Sequence, residues 1–122
     1  MTDLPEPETK LPYFFAGMMG FVGVIMLAMG SHPPSTGILA TGGQFLLLHA
    51  PAVMTITTQR GFSGVYKRAA QALLLVGPAV FAGQIAIHAG SGNPVPFLAP
   101  IGGGLTILGW LCAAIGAIRA VK

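Results

Sequence analysis

The side chains in this sequence able to do chemistry are few. They are His32, His49 and His88, the single cysteine Cys112, the glutamines Gln44, Gln71 and Gln84, and the methionines Met18, Met19, Met26 and Met29. An ionisable group set in an apolar run marks a functional hypothesis, and a neutral imidazole can relay a proton or bridge two helices. His49 is the best placed for this, well inside its apolar run, with Gln44 and Gln84 as the polar companions that could line a path beside it. The plainer alternative is a histidine hydrogen-bonded to Gln84, to Gln71 or to a carbonyl released by Pro51. His32 and His88 lie at the ends of their runs in equivalent places, where together they could ligate a metal or a haem. Histidines at such ends usually face water and headgroups, and His49 lies too far from both to complete a three-histidine site. The four methionines suggest a thioether path for copper, but they do not fall on one helix face, and flexible core filling is the commoner use. Cys112 has no thiol or ligand companion in sequence and reads as a small buried residue.

What is missing narrows the chemistry further. All three carboxylates, Asp3, Glu6 and Glu8, precede the first apolar run, so no run carries the acid that small proton-coupled exporters exchange against. There is no Ser, His and Asp set, no Cys and His pair at a common depth, and no phosphate-binding loop; the GGG at 102–104 lies in the middle of an apolar run. The expectation is a protein that is not an enzyme, with no catalytic, cofactor-binding or metal-binding residues and no cofactor.

The elements that must position these residues are four apolar runs, 11–30, 36–58, 69–89 and 97–118, each near the roughly 20 residues an α-helix needs to cross a bilayer. The chain is 53% hydrophobic and 7% charged, too little charge to clothe a soluble domain of this size. Residues 1–10, with Pro5 and Pro7, read as a disordered cytoplasmic tail, and 11–122 as a single four-helix membrane domain. The first run is preceded by acidic residues and is long for a signal peptide, so it reads as a retained span. Short links rich in proline and glycine, 31–35 and 90–96, demand antiparallel neighbours. Pro51 should kink the second span near 47–51, and Pro78 should break the third.

The basic residues set the expected orientation. Lys10, Arg60, Lys67, Arg68, Arg119 and Lys122 are all six of them, and four crossings place every one on the same side. By the positive-inside rule that side, with both termini, is cytoplasmic. The net charge of +3 is spread singly beside apolar runs, which argues against nucleic acid as a partner.

Slid against itself by 60 positions, the chain aligns Gly17 with Gly77, Phe21 with Phe81, Gly23 with Gly83, Ile25 with Ile85, Gly30 with Gly90 and Pro34 with Pro94. It also aligns Gly42 with Gly102, Gly43 with Gly103 and Leu48 with Leu108. This reads as a faded duplication of a helical hairpin. Both copies start on the same side, so the expected fold is an all-α four-transmembrane-helix bundle of two parallel hairpin repeats about a pseudo-two-fold along the membrane normal. Gly17, Gly23, Gly42, Gly43, Gly77, Gly83, Gly102 and Gly103 are its expected packing residues, since helices in lipid cohere by close approach rather than by hydrophobic drive.

The run APIGGGLTILGW at 99–110, the histidine in FLLLHAPAVM at 45–54 and Gly30-Ser31-His32 resemble a family of small bacterial membrane proteins. It is the domain of unknown function numbered 423, related to the eukaryotic transmembrane protein 256. The likeness spans about 16–119 and implies four crossings of a bacterial inner membrane, with the family's second-span histidine matched by His49. The chain departs from the pattern at Pro33 and Pro34, which replace a longer, more polar link. The resemblance implies a topology and no activity.

The functional expectation is therefore a non-catalytic integral membrane protein. It would be an accessory or structural subunit whose partners are the lipid bilayer and other integral membrane subunits, in an assembly such as a respiratory or photosynthetic complex. A small carrier or channel using His49 and the intramembrane glutamines is the alternative, and a haem-bearing anchor the weaker one.

Overall fold

The computed structural model describes residues 7–32, 37–62 and 64–119, with the backbone alone for 7–9. Its four helices are α1 (Pro7–Gly30), α2 (Ile38–Thr58), α3 (Gly64–Ser91) and α4 (Leu98–Ile118), each long and apolar enough to cross a membrane. The Pro33 and Pro34 turn and most of the acidic tail lie outside the described residues.

Two helices start earlier than the hydropathy suggests. α1 begins at Pro7, so 7–10, read from sequence as disordered tail, continue the first span as helix. Proline suits a first helical position because its missing N–H would be unpaired there anyway. α3 begins at Gly64, so 64–68, part of the polar, basic stretch 59–68 that the hydropathy leaves as a loop between the second and third runs, are helical. Charge marks where the hydrocarbon ends, but it does not end a helix, and Lys and Arg are good helix formers. Neither Pro51 nor Pro78 interrupts its element: α2 is helical through Pro51 and α3 through Pro78, which is buried. At the far end of α3 the Gly92 N–H makes a last bond of 2.8 Å to the His88 carbonyl, and the φ of 78° at Gly92 turns the chain out of the helix.

Contacts show that neighbouring helices run antiparallel. Along α1 and α2, Gly17 faces Met54, Gly20 faces Ala50 and Gly23 faces Gly43; along α3 and α4, Gly77 faces Gly102 and Gly116 faces Tyr66. The helices pack α1 on α2, α2 on α3 and α3 on α4, with only a slight touch between α1 and α3. The α2–α3 and α1–α2 junctions therefore lie at opposite ends. Lys10, Arg60, Lys67, Arg68 and Arg119 share the first of these ends.

The core lies along α2 in two clusters. Met19, Met26, Leu46, Ala50, Ala82 and Ile85 fill the end away from the basic residues, and Ala16, Val53, Ile56, Ala70 and Leu74 fill the basic end. Outside these, long apolar side chains such as Phe21, Leu48, Ile107 and Leu111 are exposed, which suits a hydrocarbon solvent and would be a liability in water.

Candidate functional site

His49 is buried, on the flank of α2 turned toward α4. Its Nδ1 lies 2.7 Å from the Phe45 carbonyl one turn back, and its Nε2 lies 3.0 Å from Nε1 of Trp110 on α4. An indole N–H can only donate, so Nε2 must be the bare, accepting nitrogen and the ring proton must sit on Nδ1, donating to Phe45. The Phe45 ring lies tilted against His49, centroids 4.6 Å apart, and against Phe81 of α3 at 4.5 Å, so the bond sits in an aromatic group contributed by three helices. Both ring nitrogens are occupied, and the arrangement is a clamp holding α4 against α2. The partners differ from those the sequence suggested: neither glutamine nor the carbonyl of Leu47, freed by Pro51, serves His49.

Three other polar residues of the spans, Thr57, Gln71 and Thr106, are also hydrogen-bonded. Gln71 of α3 donates to Thr57 Oγ1 of α2 at 3.0 Å, and the Thr57 hydroxyl donates back to Val53 at 2.7 Å. Thr106 of α4 bonds the Gly102 carbonyl at 2.8 Å where α4 crosses α3. Gln84 is buried on α3, while Gln44 is exposed on the outside of α2, so Gln44, His49 and Gln84 do not converge on one path. His32 bonds its own helix at the Ala28 carbonyl. Among the described residues no three His, Cys, Asp or Glu side chains gather as metal ligands would. Cys112 is half-buried beside the Val53 and Leu74 cluster.

The glycines divide into two groups. A Cβ on Gly43 would stand 2.6 Å from the Gly23 carbonyl and 2.7 Å from the Leu27 nitrogen; one on Gly102 would stand 2.6 Å from the Phe81 nitrogen; and one on Gly77 would run into the Thr106 hydroxyl and backbone. Gly23 and Gly42 are also enclosed, Gly42 beneath Met26 and Ile85. Gly17 has only the tip of Met54 nearby, and Gly83 and Gly103 face open space. The glycine pairs meet within hairpins, Gly23 with Gly43 and Gly77 with Gly102, and these two pairs are not counterparts at the 60-residue offset. Gly30, Gly109 and Gly116, not among the packing residues expected from the sequence, are as tightly enclosed, against Ala40, Leu74 and the Phe62–Tyr66 pair.

Trp110 and the two threonines are the polar residues that sequence reading passed over. A tryptophan in mid-span carries a donor that needs an acceptor, and His49 at comparable depth was the available one. Threonine hydroxyls in helices habitually bond the carbonyl four residues back, which hides them from any reading by polarity.

On the opposite flank of α2 a groove of about 750 Å³ lies between α1 and α3. Met18, Met19 and Met26 line it from α1, Ala72, Val76, Ala79 and Gly83 from α3, and Leu46 forms its floor. Met29 is not part of it.

These features define an all-helical multi-pass membrane protein in which His49, Thr57, Gln71 and Thr106 are tied into its own helix contacts. The chain belongs to the family described as protein of unknown function DUF423, whose profile matches residues 26–103. The match is shorter than the resemblance over 16–119: it includes His49 and stops before Trp110. No curated protein and no solved structure matches the chain.

Proposed function

We propose that this protein is a non-catalytic, structural subunit of a larger membrane assembly in a bacterial inner membrane, with its basic end and both termini in the cytoplasm. The observation that carries this reading is how the intramembrane polar side chains are used. His49, Thr57, Gln71 and Thr106 each form a hydrogen bond within or between helices, and such bonds serve cohesion. The surface offered to a partner is the outer face of α4, where Gly104 faces open space between exposed Ile101 and Leu108. A small residue flanked by larger ones lets a second helix approach closely. The charge grouping at one end supports the orientation through the positive-inside rule.

The test is purification in mild detergent of the wild type and of Gly104→Leu. The wild type should carry a second membrane chain in fixed stoichiometry, and Gly104→Leu should lose it while keeping its own helix content and melting temperature, because the added side chain meets nothing inside the protein. A wild type that elutes as a lone monomer would overturn the reading.

A further inference from the structure

The geometry points to the α1–α3 groove as a binding site for one anionic phospholipid, its acyl chain lying along the groove and its phosphate held at Arg68. The groove is lined by apolar side chains and Gly83, with no hydrogen-bonding side chain, so its occupant there must be hydrocarbon. The lining runs from Phe15 to Met26 on α1 and from Ala72 to Ala86 on α3, about 16 and 21 Å at 1.5 Å per residue, so an acyl chain entering from the basic end and filling it reaches past the midplane of a roughly 30 Å hydrocarbon layer. The groove's far end is stopped where Met26 of α1 and Ile85 of α3 converge over Gly42.

The near end carries charge of the right sign. Arg68, Ala72, Val76, Ala79, Gly83 and Ala86 succeed one another three or four residues apart on α3, so Arg68 heads the helical face that lines the groove, one turn beyond its end. Arg68 is exposed, and among the described side chains there is no carboxylate to pair with it. Its neighbour Lys67 is already engaged with the Gln59 carbonyl at 3.0 Å. A guanidinium is suited to bidentate recognition of phosphate. This site stands apart from the partner surface on α4, and its test uses the isolated chain with lipid alone.

The full chain is reconstituted into vesicles of equimolar phosphatidylglycerol and phosphatidylcholine, extracted, and its retained lipid counted by native mass spectrometry. The expected result is one retained lipid per chain, with phosphatidylglycerol favoured about fivefold, the preference one basic residue gives near a membrane surface. Arg68→Gln should abolish the preference while leaving a lipid bound. Gly83→Leu, whose side chain enters the open groove, should abolish retention of both lipids. Equal retention of the two lipids by the wild type, or an unchanged preference in Arg68→Gln, overturns the assignment. So does a lipid-free dimer that Gly83→Leu dissociates, which would make a second copy the occupant. If Gly83→Leu does not fold, Arg68→Gln decides the question alone.

Discussion

At the scale of single residues, the chemistry of this protein turns on the two nitrogens of His49. The indole fixes which is bare and the Phe45 carbonyl fixes which is protonated, so a histidine that looks available for proton or metal chemistry is spent on joining α2 to α4. Nitrogen NMR of the labelled protein should find His49 in the Nδ1–H tautomer, with an Nε2 shift that moves in Trp110→Phe. His49→Ala leaves the indole N–H without its acceptor, and should lower stability by about 1–3 kcal/mol in thermal or denaturant unfolding. Trp110→Phe added to it should recover part of that loss, since the orphaned donor is then gone as well. In proteoliposomes His49→Ala should alter no ion flux; a flux that exists in the wild type and vanishes in the variant would instead support the carrier reading.

At the scale of elements, backbone contact between helices sets how tightly each hairpin closes. Gly43→Ala and Gly102→Ala put a methyl group against backbone atoms that cannot swing aside, and each should cost about 1–3 kcal/mol by forcing the pair apart. Gly103→Ala, one position along, meets nothing and should be neutral or stabilising by up to about 1 kcal/mol, because alanine is the better helix former. Unfolding of the three variants side by side checks this. The contrast between Gly102 and Gly103 is a matter of helix rotation: adjacent positions differ by about 100°, enough to move a residue from a helix contact to the bilayer.

At the scale of the whole molecule, the stretches 59–62 and 92–97 lie at opposite ends of the bundle, with the described basic residues gathered at the first. In a chain with Cys112 replaced by serine, Gln59→Cys should react with a membrane-impermeant thiol reagent only from the cytoplasmic side and Asn93→Cys only from the other. Both positions are exposed, so labelling reports the side and not burial. Labelling of both from one side would end the four-crossing arrangement.

The crossings, their antiparallel order and the grouping of charge were legible in the residues alone, because the bilayer allows few solutions: about 20 apolar residues per span, every backbone group paired within its helix, and cations left outside. Val65 to Arg68 were misplaced in a loop because hydropathy locates the hydrocarbon boundary and not the end of a helix. Which face of each helix turns inward was not legible. Lipid is as apolar as a protein core, so a membrane helix shows no contrast between inner and outer faces from which its rotation could be read. Only the packed structure decided that Gly43 and Gly102 meet backbone while Gly83 and Gly103 do not, and that His49 takes Trp110 rather than Gln84. Those choices rest on rotations and depths settled by several helices together, which no single stretch of sequence contains.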